Sequence, residues 1–278
     1  MNCCHMLYKF IIFIFSILWQ QILLADIQVV TTLTPIASIY KAIAQNRASV
    51  ITIQSNSHSC AHHMRITPSQ IIAARNADLF VYIDDAFEVS ISKIYNNVNP
   101  DNVFKISTIP NLNLIKNNNI TNWHLWLDIN NIRLIGNIAL RQLSKISPHN
   151  AKYFITNHQQ FLKTLNVISD KLHTASMHNA AYLSSSLDYL LSNSNVQFLD
   201  LDLTIVSNYT KLHKLVKDNN YTSLLIDDHE IMAKKLVNLL PTSVDVIIID
   251  VENWSYDNAN DDNSLLHNWN RIINLLQK

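Results

Sequence analysis

Thr67-Pro68-Ser69-Gln70-Ile71-Ile72-Ala73-Ala74-Arg75-Asn76-Ala77-Asp78-Leu79-Phe80-Val81-Tyr82-Ile83 holds a helix start, a turn and a strand in immediate succession. Thr67 stands as a cap, Pro68 occupies the first helical position, and Gln70 sits where a capping box places its side chain. The helix runs to about Arg75, a polar turn follows, and Leu79 to Ile83 is an apolar strand rich in β-branched and aromatic residues. The same alternation extends outward on both sides. Upstream are a strand at Ile27 to Thr31, a helix at Pro35 to Ala44 and a strand at Ser49 to Ile53, with the loop Gln54 to Ile66 leading into Thr67. Downstream come a helix at Ala86 to Tyr95 and a strand at Val103 to Ile106. Strands alternating with helices specify a parallel sheet.

Beyond the polar stretch Asn111 to Asn122, Ile129 to Ile146 reads as a helix, and Ser147-Pro148 opens another. In that second helix Phe154, Phe161, Leu162, Leu165, Ile168 and Leu172 recur at helical spacing. From Pro148 to Leu172 it is about 37 Å long at 1.5 Å per residue, enough to run the length of the molecule. The alternation then resumes: strand Thr174 to Met177, helix Ala180 to Leu191, strand Asn195 to Leu199 and helix Ser207 to Asp218. It ends with strand Ser223 to Ile226, helix His229 to Leu240, strand Val244 to Ile249 and a terminal helix from Ser264. The expected fold is α/β with two parallel-sheet lobes, residues 26–146 and 174–278, joined by one backbone helix over 147–173.

Residues 1–25 read as a signal peptide: Lys9, the apolar run Phe10 to Trp19, and Ala25 at the end. That run is shorter than the roughly 20 residues a membrane crossing needs. The remainder carries 20 basic residues against 21 acidic ones once Lys9 is removed, so it has no electrostatic footprint for nucleic acid. Of the 3 cysteines only Cys60 lies beyond residue 25, which excludes an intramolecular disulfide there. The single glycine, Gly136, falls in a helical pattern, so no phosphate-binding glycine loop and no nucleophile elbow can be built. Asn takes over turn positions that need positive φ.

Histidines and one acid fall where the expected strands run out, the edge at which α/β sheets place ligands. His62 lies in the loop after the second strand, flanked by His58 and His63. His124 sits between Trp123 and Trp126 just before a helix. His178 follows the expected strand Thr174 to Met177, and Asp250 ends the apolar strand Val244 to Ile249. Taken singly, each also reads as a surface histidine or a capping acid. Together, three imidazoles and a carboxylate make a tetrahedral set suited to zinc. Cys60 reads as a loop thiol. Asp227, Asp228, His229 and Glu230 read as helix-starting acids satisfied by capping and the helix dipole, and His149, His158, His173, His213 and His267 as solvent-facing.

These residues resemble the periplasmic solute-binding proteins that serve zinc and manganese ABC importers, the cluster A-I metal-binding family. Val29-Val30-Thr31-Thr32 with Pro35 resembles the family's first strand and helix, and Asn76-Ala77-Asp78-Leu79 its "NADL" turn. His124-Leu125-Trp126-Leu127-Asp128 resembles the second-ligand motif, and His178-Asn179-Ala180-Ala181-Tyr182 the third. In that pattern the first ligand is the histidine six residues before Pro68, which selects His62, and Asp250 resembles the fourth. The resemblance implies capture of a divalent ion, zinc before manganese because of the imidazole at position 178, by a periplasmic monomer that hands it to an ABC permease without turnover. Affinity should weaken below about pH 6.5, where imidazoles bind protons. Asn111 to Asn122 lacks the histidines of a second, loop-borne site. The chain departs from the family at Ala61, Ile129 and Val251-Glu252, each standing where the family carries other residues. Two other classes compete: a zinc hydrolase with Glu252, Asp227, Asp228 or Glu230 as base, and an adhesion protein on the same fold with a degraded site.

Overall fold

The computed structural model describes residues 27–53, 66–174, 177, 179–191, 194–202, 205–227, 239–251 and 264–277. The first lobe contains β1 (Ile27–Thr31), α1 (Thr34–Ala44), β2 (Ala48–Thr52), α2 (Pro68–Arg75), β3 (Leu79–Tyr82), α3 (Ser92–Tyr95) and β4 (Val103–Lys105). Its four strands are parallel in the order β2-β1-β3-β4. The capping box forms as expected: the Gln70 amide N–H donates to Thr67 Oγ1, and the Thr67 N–H donates to Gln70 Oε1 at 2.8 Å.

A two-stranded hairpin, β5 (Lys116–Asn117) and β6 (Ile120–Thr121), occupies the polar stretch read as a plain separator. Asn118 and Asn119 both hold positive φ at its tip, the requirement of a tight hairpin turn. The chain then enters α4 (Ile129–Ile146) and α5 (Ala151–Thr174). Asp128 caps α4, accepting the Asn130 N–H at 2.6 Å. Gly136 of α4 lies against α5: a β-carbon there would stand 2.7 Å from Phe161 Cε1, so any larger residue would have to displace the ring.

The second lobe runs β7 (Ala180–Tyr182), α6 (Asp188–Leu191), β8 (Gln197–Phe198), α7 (Val206–Asp218), β9 (Ser223–Asp227), β10 (Asp245–Ile249) and α8 (Ser264–Leu276). Its strands are parallel in the order β10-β9-β7-β8. The two sheets share a further detail at their carboxyl ends. Thr32 N–H donates to Val81 O in the first sheet at 3.1 Å, and Leu183 N–H to Leu225 O in the second at 3.0 Å.

One apolar core joins the lobes. Val29 and Val81 of the first sheet, Phe161 and Leu165 of α5, Leu225 and Ile249 of the second sheet, and Trp269 of α8 belong to a single buried cluster. Separate clusters cover the other face of each sheet. The terminal helix packs on α5 and α1, so the chain's end returns to the first lobe.

Three expectations are corrected. Residues 86–91 are turns and only Ser92–Tyr95 is helical, because the buried carboxylate of Glu88 accepts the Ile83 and Asp84 N–H groups instead of capping a helix. Thr174 ends α5 rather than opening a strand, and Ala180–Tyr182 is a strand rather than a helix: buried on both faces, it shows no alternation and no register that distinguishes it from a helical turn. His158 is buried, at 7% exposure, because α5 packs against α1, α4 and α8; burial lowers its pKa. The helix expected at His229 to Leu240 lies outside the described residues except for its last two positions.

Candidate metal centre

Segments that follow β3 and β10 come together through Trp126, which packs on Phe87 and bonds to Val251. His124 is half-buried at the start of the short turn Leu125–Leu127. Phe87 meets its ring edge-on at 5.9 Å and Trp126 lies 5.3 Å from it. Trp126 is fully buried and its Nε1–H donates to the Val251 carbonyl at 2.8 Å. Val251 comes directly after Asp250, and Asp250 directly after β10. A single hydrogen bond thus ties the segment carrying His124 to the segment carrying Asp250, across 125 positions of sequence.

Next to Phe87 the first sheet ends in a buried acid. Glu88, at 1% exposure, accepts the Ile83 N–H at 2.7 Å and the Asp84 N–H at 3.2 Å where β3 runs out. Burial pushes its pKa up to about 7, against the opposing pull of Thr32 and the two amides. Sequence reading missed Glu88 by placing it on a helix. The signal that could have found it is an acid flanked by Phe87 and Val89 directly after the apolar strand.

In the second sheet the matching edge carries Ser184, Asp227 and Asp250. Ser184, at 2% exposure, accepts the Asp227 N–H on its hydroxyl at 2.9 Å. Asp227 closes β9, buried and opposite Ile249 in register; the helix it was read as starting lies outside the described residues.

His62 and His178 lie outside the described residues, as do His58, Cys60 and His63. The flanks of position 178 are placed. The carbonyl of Asn179 accepts the Thr222 N–H at 2.8 Å, where β9 is about to begin. Asn179 itself holds φ of 54° and leads into β7. Met177 lines a cavity of about 210 Å³ with His173, Val196 and Leu276, a lining that includes neither His124 nor Asp250. Position 178 therefore precedes the strand it was expected to follow. Five residues of extended chain, roughly 16 Å at about 3.3 Å each, separate Asn179 from the carboxyl edge. Ser184 is the residue that stands at that edge, and its neighbour's carbonyl, Ser185 O, lies 2.6 Å from the Asn122 side chain. Among the described residues no three His, Cys, Asp or Glu side chains form a metal-holding cluster; a ligand set that includes His124 and Asp250 would draw on residues outside the described ones.

Residues 29–185, more than half of the chain, match the family described as "Zinc-uptake complex component A periplasmic". The chain belongs to this family. Its members bind metal ions for transport and are not enzymes. An uncharacterised protein of Rickettsia prowazekii, RP014, is 29% identical over 273 residues, covering 95% of this chain and 87% of that one. The manganese-binding lipoprotein MntA of Halalkalibacterium halodurans is 24% identical over 148 residues, 53% of this chain and 49% of that protein. In structure, the metal-dependent lipoprotein YcdH of Bacillus subtilis superposes with a TM-score of 0.72 at 17% identity, covering 91% of this chain and all of that one. The zinc-uptake family's two-lobed parallel α/β fold is thus the fold of this chain. Among the described residues no helix is long and apolar enough to cross a membrane.

Proposed function

We propose that this member of the zinc-uptake family captures a divalent transition ion at the seam between its lobes, outside the inner membrane, and delivers it to an ABC permease. His124 and Asp250 are the ligands on the placed edges, with His62 the third from the loop after β2. The third imidazole expected at His178 is not part of this set, because β7 begins after that position. The observation that carries the reading is the Trp126 Nε1–Val251 O hydrogen bond, which brings the His124 and Asp250 segments to one seam. Two imidazoles and a carboxylate form a site for zinc with one position left to water or to an oxygen donor. Manganese accepts the same ligands more weakly, and a manganese-binding relative makes it the second ion to test. Residues 1–25 serve for export, and the family's description is in keeping with a periplasmic site of action. Zinc and manganese titrations of the chelator-stripped protein test the proposal: one ion per chain, lost in His124→Ala, is expected.

Ser184 favours a second reading. A serine where the second sheet could present a strong ligand is what a degraded site looks like, and an adhesion or interaction role on the same fold would then remain. No stoichiometric ion in wild-type protein would move that reading to the front.

A further inference from the structure

Asn122 holds the ring of His124 from behind. Asn122 Oδ1 lies 3.0 Å from His124 Nδ1 and accepts the His124 backbone N–H at 3.1 Å. A side-chain amide can be turned end for end, and only its surroundings fix which atom points where. Here the surroundings do so from both sides. The amide nitrogen of Asn122 faces the Ser185 carbonyl at 2.6 Å and Asp188 Oδ2 at 3.4 Å, and a carbonyl and a carboxylate only accept. The backbone N–H of His124 only donates. Reversing the amide would set donor against donor at His124 and acceptor against acceptor at Ser185. The oxygen therefore faces the ring, and in a neutral imidazole the nitrogen it faces, Nδ1, carries the proton. The lone pair resides on Nε2.

We infer that Asn122 is a positioning residue for the ion: it fixes His124 as the Nδ1–H tautomer with Nε2 as the donor atom, and anchors that orientation to the second lobe through Ser185 and Asp188. This rests on the reading of His124 as a ligand. The anchor is itself built. Asp188 is buried, at 7% exposure, and accepts Tyr182 OH at 3.0 Å and Asn117 Nδ2 at 2.7 Å. Tyr189 accepts the Ile115 N–H at 3.0 Å and donates to the Asn122 carbonyl at 2.7 Å. The hairpin β5–β6 is thereby strapped to the second lobe through Ile115 and Asn117 at its start and Asn122 at its end, while Phe87 and Trp126 limit rotation of the ring. An acceptor behind a metal-bound histidine fixes its tautomer and raises its basicity, and losing one costs about 10- to 100-fold in affinity. Separating the lobes would withdraw Ser185 and Asp188 and loosen the ligand, so release and lobe movement are coupled at this residue.

The test is nitrogen-15 NMR of the histidine rings in the chelator-stripped chain, with His124 assigned by the signal lost in His124→Gln, together with zinc titration. Wild type should show the proton on Nδ1. Asn122→Ala should show mixed tautomers and bind zinc about 10- to 100-fold more weakly. Asn122→Asp, which keeps an oxygen toward the ring but sets its other oxygen against Ser185 O and Asp188, should retain the Nδ1–H tautomer while losing the anchor, and bind zinc between wild type and Asn122→Ala. A wild-type proton on Nε2 overturns the inference, and so does an Asn122→Ala protein with unchanged tautomer and affinity. If Asn122→Ala does not fold, the wild-type spectrum and Asn122→Asp decide. Undiminished zinc binding in His124→Ala would overturn the ligand reading and the inference together. Zinc binding lost in His124→Ala but untouched in Asn122→Ala would overturn the inference alone.

Discussion

Sheet one and sheet two are both four-stranded and parallel, and their first strands end in the same ladder bonds, Thr32 to Val81 and Leu183 to Leu225. Past these bonds the two edges diverge. At the edge of sheet one a buried Glu88 ties down the turn after β3, and Phe87 beside it packs on His124. At the edge of sheet two a buried serine hydroxyl takes the N–H of Asp227, and the acids Asp227 and Asp250 end adjacent strands. On the proposed ligand set the first lobe offers nitrogen and the second offers oxygen. One scaffold, used twice, thus sets where donors stand but leaves which donors stand there to individual side chains, consistent with function residing in the site and not in the fold.

The comparison can be broken at either edge. The largest expected effect is at Asp250: if it supplies the second lobe's ligand, Asp250→Ala weakens zinc binding on the order of a hundredfold, about 3 kcal/mol, measured by competition with a chromogenic chelator. Unchanged affinity would leave the second lobe without a ligand.

Glu88 tests the first edge through stability. Its folded pKa of about 7 exceeds the ordinary 4.5, so the native state holds a proton that the unfolded chain has released. Stability is therefore greatest below about pH 4.5 as far as this group is concerned, and falls as pH rises to 7, by up to about 1.4 kcal/mol per unit. Glu88→Gln should abolish that slope and gain on wild type as pH rises, read from urea midpoints of stripped protein at pH 5 and 8. Parallel curves for the two proteins would contradict the burial account.

Smaller changes sharpen the contrast. Ser184→His would place an imidazole at the second edge and is expected to raise zinc affinity by roughly tenfold, at the cost of the bond from Asp227. An unaltered constant would show that position 184 faces away from the ion. His178→Ala should leave the zinc constant within about twofold of wild type, since β7 begins after that position. A large loss in the same titration would restore the three-imidazole set.

Much of this was legible in the residues. The strand Ile27–Thr31, the helix Ile129–Ile146 and most of the long helix after Pro148 follow from β-branched runs, 3.6-residue periodicity and the helix starts at Thr67 and Ser147-Pro148. Asn at positive φ is expected of a chain with one glycine, and Asn111, Asn118, Asn119, Asn179 and Asn220 adopt it. The segment from Thr174 to Leu191 departs from its sequence reading for a physical reason. Ala180-Ala181-Tyr182 is a three-residue strand buried on both faces, too short for alternation to show, and the preceding helix overruns its expected end. That shift moves the strand's carboxyl edge from position 178 to position 184, where the residue is a serine.

The sequence by itself determined two parallel α/β lobes, the linking helix, and the segments around His124 and Asp250, because periodicity, capping and strand composition act within a few residues. Only the tertiary structure decided that Trp126 reaches Val251, that Glu88 is buried where β3 ends, and that Asn122 is clamped between His124 and Asp188. The Trp126 and Asp188 contacts join residues far apart in the chain, and hydrogen bonds and burial at that range depend on how the two sheets meet, which no local pattern encodes.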